Sequence, residues 1–237
     1  MWEVTAAVGL NGVDFSKVIL AVGGLGTAAY GVVDATKAFG GGISNRGFGD
    51  IKKVITRLIA DSKAPDQPSL GHAAAIDTLR ANWLNGMAMA DQKSVAKALI
   101  KLNLTRDSAA KMAAAVGVDA KILQAIVDKL GTPLPLTTPE TDVYGRFDLS
   151  LNALLDQAYQ RADQRYRNSA KLLAIPIAVL LAVAGAWALN GNRLASADLW
   201  KAIIAGMLAT PLAPVAKDVA SAIQAGAKLA QSWKRLP

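Results

Sequence analysis

The most regular pattern in the sequence runs from Leu149 to Leu189. In its first half Leu151, Leu154, Leu155, Ala158 and Ala162 recur three and four residues apart, which puts them on one face of a helix. In its second half, Leu172–Leu189, eighteen consecutive residues carry no charge, about the length that crosses the hydrocarbon core of a bilayer. Pro176 interrupts this run; inside a membrane helix a proline more often kinks the helix than ends it. The pattern predicts one rod of about forty residues, roughly 60 Å long at 1.5 Å per residue. Residues 149–171 are its amphipathic stalk and 172–189 its membrane part, transmembrane helix 2.

Two other apolar runs flank it. Val18–Val33 has sixteen residues between Lys17 and Asp34 and predicts transmembrane helix 1 at 18–38, after an external N-terminus at 1–17. Its small residues form ladders four apart, Gly23–Thr27–Gly31 and Gly24–Ala28, of the kind that lets a second membrane helix come close. A cleaved signal peptide is the competing reading. It is disfavoured because one lysine precedes the run, while Lys37, Arg46, Lys52 and Lys53 follow it. Ala202–Ala216, broken by Pro211 and Pro214, predicts a weaker transmembrane helix 3 at 199–216. The intervening 190–198 is a short external turn flanked by Trp187 and Trp200, as in an aromatic belt. A basic amphipathic tail at 217–237 suits a membrane surface.

Between the first two spans the pattern becomes helical and charged. Residues 39–49 hold five glycines in eleven positions and predict a flexible linker. A helical domain at 50–131 follows, with Asp50 as the N-cap of a helix carrying Ile51, Val54, Ile55, Leu58 and Ile59. Pro65 and Pro68 break the chain before a helix from Ser69 to about Met89. Further helices fall at Gln92–Leu102, Thr105–Val116 and Asp119–Leu130, capped by Thr105 and Asp119 and stopped by Gly117 and Gly131. Residues 132–148, with three prolines, predict an extended connector. No stretch alternates with period two. The expected class is an all-α integral membrane protein with three transmembrane helices and a cytoplasmic helical-bundle domain between the first and second.

Charge supplies the orientation. The net charge of +8 fits nucleic acid or the positive-inside bias of membrane proteins, and three apolar runs favour the second. Arg161, Arg165, Arg167 and Lys171 stand before the second span, and Lys217, Lys228, Lys234 and Arg235 follow the third. These eight are the expected contacts to lipid headgroups. The bias puts the N-terminus outside and the central domain and C-terminus in the cytoplasm, in a bacterial-type inner membrane.

Candidate chemistry is sparse. Gly24–Ala29, GLGTAA, matches a dinucleotide-binding fingerprint, but the second strand that a Rossmann unit needs would fall among glycines. Met112–Ile126 has the small, turn and apolar positions of a helix-turn-helix, yet its outward residues include Asp119 and Asp128 and no arginine, so DNA contact is not expected. His72 is the sole histidine and Glu3 and Glu140 are the glutamates. That rules out H-E-x-x-H zinc sites, and the absence of cysteine removes thiolate chemistry. No catalytic residue, metal or cofactor is therefore expected. Asp34, an acid at the end of a span, is the one candidate ion site.

The expected function is non-enzymatic: a structural or accessory subunit of an oligomeric membrane assembly. Helix packing would use Gly23, Gly24, Thr27, Ala28 and Gly31, together with Ala174, Ala178, Ala182 and Ala186. Leu151, Leu154, Leu155 and Ala158 would dock partners. Membrane lipids and other membrane subunits, in a homo- or hetero-oligomer, are the expected partners. The alternatives are an oligomeric channel or small transporter, with Thr27, Tyr30 and Thr210 facing a pore, and a membrane-tethered nucleic-acid or lipid-binding protein.

Overall fold

The computed structural model describes residues 15–59, 71–191, 193 and 195–233, without the side chains at 15, 16, 217, 219 and 222–233. Among the described residues every regular element is helical: α1 Phe15–Ala35 with a 3₁₀ turn at Thr36–Ala38, α2 Ser44–Leu58, α3 His72–Leu84, α4 Met89–Leu102, α5 Arg106–Val116, α6 Ala120–Leu130, α7 Thr138–Leu189 and α8 Ser196–Trp233. They form two compact units. One comprises the described residues up to Thr36 and those from Ser169 onward; the other is Lys37–Asn168.

The unit Lys37–Asn168 is closed by helical spacing alone. Ile51, Ile55 and Leu58 of α2, Leu79 of α3, Ile100 of α4, Met112 of α5, and Leu123 and Ile126 of α6 are all buried in one core. Each large aliphatic side chain so placed contributes about 1.5–3 kcal/mol of transfer free energy. α5 begins with a capping box, in which Thr105 and Ser108 satisfy each other's backbone N–H. It ends at Gly117, whose φ of 75° is open to glycine at little cost. Asp119 caps α6 through the Ile122 N–H at 2.9 Å.

Here the structure corrects five expectations. Residues 39–49 are not a flexible linker: Gly40, Gly41 and Gly42 take positive φ to make one turn, and α2 is already helical from Ser44. Arg80 holds that turn, donating to the Gly40 carbonyl at 2.7 Å and to Asn45 Oδ1 at 3.2 Å. Asp50 is consequently inside α2 rather than its N-cap. The connector 132–148 is helical from Thr138, because Glu140 reaches back to the Thr137 N–H at 2.7 Å. Pro139 sits in the first turn, where no N–H is required. Leu151, Leu155 and Ala158 do not face outward; all three are buried, the first two in the unit's own core. The rod therefore has 52 residues rather than about forty. The breaks at Pro65 and Pro68 lie outside the described residues.

The other unit contains helices long and apolar enough to cross a membrane, at Lys17–Ala38, within Thr138–Leu189 and at Ser196–Ala216. Pro176 is inside α7, and Pro211 and Pro214 are inside α8. The third apolar run and the tail as far as Trp233 are thus one helix rather than two elements, since the two prolines cost backbone hydrogen bonds without stopping the helix. α1 and α8 meet through glycine. A Cβ on Gly23 would stand 2.0 Å from the Ala216 Cβ, and one on Gly26 would stand 2.1 Å from the Ala209 carbonyl oxygen. Only hydrogen at those positions permits the approach. GLGTAA lies wholly within α1, so it cannot form the strand–turn–helix of a dinucleotide site.

Candidate functional site

Within the unit Lys37–Asn168, a charged seam joins α4 to α7. Lys93, Lys97 and Lys101 recur every fourth residue and so lie on one side of α4. Asp148, Asn152 and Asp156 do the same on α7. Lys97 Nζ lies 2.6 Å from Asp148 Oδ2, Lys101 pairs with the other oxygen of the same carboxylate, and Lys93 pairs with Asp156. Asn152 Nδ2 donates to Asp148 Oδ2 at 3.4 Å. Burial would raise the Asp148 pKa, but the hydrogen bonds from Lys101 and Lys97 outweigh it and hold the carboxyl below its ordinary value. Burial opposes the Lys101 charge, and Asp148 with Tyr144 raises its pKa nonetheless. The Lys101 ammonium also stands 5.1 Å from the Tyr144 ring centre. Opposite charges in register align two helices; they do not make a nucleophile.

A second cluster joins α2, α3 and α7. Trp83 donates its indole N–H to the Ser44 carbonyl at 3.0 Å and meets Tyr166 edge to face, ring centres 6.4 Å apart. Gly47 makes room for both, since a Cβ there would come within 2.8 Å of the Trp83 ring and 2.6 Å of the Ala162 carbonyl oxygen. Lys37 Nζ lies 5.4 Å from the Tyr166 ring centre. Lys37, Ser44, Trp83 and Tyr166, with Gln92 and Asp163, line a recess of about 230 Å³. Gln92 is buried, donates to the Met87 carbonyl at 2.6 Å, and leaves its Oε1 without a donor. Next to it the buried Tyr159 hydroxyl donates to the Gln92 carbonyl at 3.3 Å, and burial pushes the phenol's pKa up.

The expected lipid-facing cations divide. Arg161 and Lys171 are exposed. Arg165 lies 3.1 Å from Asp50 Oδ1 and ties α7 to α2, while Arg167 lies 2.8 Å from Asp163 on its own helix. The side chains of Lys217 and Lys228, and all of Lys234 and Arg235, lie outside the described residues. Leu154, apart from the other three proposed docking residues, is half-buried and borders a shallow recess with Val116 and Gln157.

Among the expected packing residues, Gly23 is buried against α8 and Ala174 and Ala178 are buried on α7, with Ala182 and Ala186 half-buried. Gly24, Thr27, Ala28 and Gly31 are exposed along α1, and a Cβ at Gly24 or Gly31 would meet nothing within 4 Å. The glycine face used inside the chain is Gly23 with Gly26, three apart rather than four. Asp34 is exposed in the last turn of α1. Thr27 is exposed and Thr210 is buried, so the two hydroxyls share no free surface within one chain. His72 Nε2 and the Thr56 hydroxyl are 2.9 Å apart, linking α2 to α3.

Sequence reasoning missed the seam, the Glu140 cap and the Trp83–Tyr166 pair. The first had a signal, two polar repeats of period four some fifty residues apart. The second had one in the T-x-x-E spacing of Thr137 and Glu140. Nothing local marked the third.

Comparison of the chain with protein-family models, with curated proteins and with solved structures finds no match. The geometry defines a class by itself: a protein whose described regular elements are all helices, three of them long and apolar enough to cross a membrane, with a charged helical unit at Lys37–Asn168.

Proposed function

We propose that this chain is a non-enzymatic structural or accessory subunit of an oligomeric membrane assembly. The observation that carries the reading is the exposed small-residue stripe of α1, Gly24, Thr27, Ala28 and Gly31. The chain's own helix contact uses the adjacent Gly23–Gly26 face, leaving this one for a helix of another chain. Small residues allow close backbone approach, and close approach is the main source of helix association where no hydrophobic effect acts between helices in lipid. The docking role assigned to Leu151, Leu155 and Ala158 is withdrawn, and the outer surface of the unit Lys37–Asn168 takes its place.

On this reading residues 18–38, 172–189 and 199–216 cross a bacterial-type inner membrane. The lysine and arginine bias supports an external N-terminus and a cytoplasmic position for the helical bundle and the C-terminus. The absence of cysteine makes the test clean. Single substitutions Gly24→Cys, Ala28→Cys and Gly31→Cys should give cross-linked products in native membranes, with Val18→Cys, exposed on α1 but turned well away from the stripe, much weaker. A lone monomer in mild detergent by native mass measurement, with equal cross-linking at all four positions, would sink the reading.

A further inference from the structure

The unit formed by α1, α7 and α8 contains an open groove at the α7–α8 turn, with a volume of about 530 Å³, inside the range of small-molecule sites. Its walls are apolar: Leu25 of α1, Leu181, Ala182 and Ala186 of α7, and Ala205 of α8. Its floor includes Gly185, where an added Cβ would meet nothing within 4 Å. At the turn end the lining becomes polar. Lys201 Nζ lies 3.2 Å from Asp198 Oδ1, and Asn190 Nδ2 donates to Asp198 Oδ2 at 3.4 Å. Trp187 and Trp200, both exposed, flank the same turn, as indoles do at headgroup depth.

We infer that this groove is a binding site for one phospholipid, its acyl chain along Leu25, Leu181 and Ala205 and its phosphate at Lys201. The inference rests on the membrane reading above and goes beyond it, because a lipid held in a groove is distinct from lipid that merely surrounds a helix. Two observations point to an amphiphile rather than a helix. The apolar trough carries its charges at one end alone, and that end holds both a cation and an anion, matching a headgroup with a phosphate and an amine. A helix of another chain would bring apolar side chains against the ion pair and bury it without compensation.

The experiment uses the full chain, extracted in mild detergent, washed, and examined by native mass measurement with phosphorus analysis. Three variants are compared. Gly185→Phe fills the groove from a position with open space, Lys201→Gln removes the cation, and Leu180→Phe places the same ring on an exposed position of α7 outside the groove. The expected result is one retained phospholipid per wild-type chain and per Leu180→Phe chain. Occupancy should fall at least about tenfold in Gly185→Phe and several-fold in Lys201→Gln. Equal lipid loss in Gly185→Phe and Leu180→Phe, or unchanged occupancy in Lys201→Gln, overturns the site. Loss of a dimer in Gly185→Phe without loss of lipid shows a second copy in the groove and overturns it too. A membrane-embedded wild-type chain that retains no phospholipid refutes the inference alone. A chain that stays in the supernatant when floated with liposomes of zwitterionic and anionic phospholipid refutes the membrane reading with it.

Discussion

Gly206 of α8 backs directly onto the main chain of α7 at Val179. A Cβ at position 206 would stand 2.5 Å from the Val179 Cα and 3.0 Å from the Ala178 carbonyl oxygen, and backbone atoms cannot rotate aside. Gly206→Ala should therefore push the two helices apart and cost about 1–3 kcal/mol, read as a lower melting temperature in detergent. Gly145→Ala, also within a helix but with nothing within 4 Å of an added Cβ, should cost nothing and can gain from alanine's helix propensity. Equal melting of the two variants would contradict the close contact at Gly206.

Leu155 separates a docking surface from a core. Its side chain is 1% exposed, so Leu155→Ala leaves a cavity and should destabilise the Lys37–Asn168 unit by about 2–5 kcal/mol. Denaturant unfolding followed by tryptophan fluorescence, in a chain whose other four tryptophans are replaced by phenylalanine so that Trp83 alone remains, reads this. Unchanged stability combined with weaker assembly would restore the docking role.

Glu140 makes the start of α7 sensitive to acid. The Lys129 ammonium at 2.7 Å and the Thr137 N–H hold its carboxyl at about 2, against an ordinary value of 4.5. A carboxyl whose native pKa is depressed binds fewer protons folded than unfolded, so its stabilisation is complete above about pH 4.5 and is lost as the pH falls toward 2. Glu140→Gln should be less stable than wild type at pH 7, and the gap should close between pH 4.5 and pH 2. A gap that stays constant over that window would show that the ionised carboxylate is not what holds the turn.

Asp148 carries the seam between α4 and α7, where its side chain is 26% exposed. Asp148→Asn leaves Lys97 and Lys101 facing each other with no anion between them. A loss of about 1–3 kcal/mol is expected, as for hydrogen bonds to charged groups. Asp156→Asn should cost less than about 1 kcal/mol, because both its carboxylate and Lys93 are closer to solvent. Urea midpoints of the two variants rank them, and the reverse order would rule out Asp148 as the seam's main anion.

The α1 glycines show where reading the chain stopped. Period-four ladders identified a helix built for close packing, but Gly23 was assigned with Thr27 and Gly31, whereas the structure pairs Gly23 with Gly26. Spacings of three and four both bring residues to one side of a helix; the crossing partner chooses between them. Arg165 shows the same limit. Its place near an apolar run suggested lipid phosphate, and a carboxylate about 115 positions earlier, Asp50, took it instead. Glu140 is different, because its T-x-x-E cap was legible and was hidden only by the prolines around it.

Local pattern settled on its own that the described chain is helical, where α5 and α6 begin and end, and which helices are apolar enough to enter a bilayer; it placed the break before α4 three to five residues late, since α3 ends at Leu84 and α4 starts at Met89. Those properties depend on residues within one or two turns of each other. Which face of α1 is covered, that Leu151 and Leu155 are interior, and that Asp148 sits between two lysines were decided by the tertiary structure. Each depends on side chains brought together from separate helices, and a periodicity records that a face exists without recording what will lie against it.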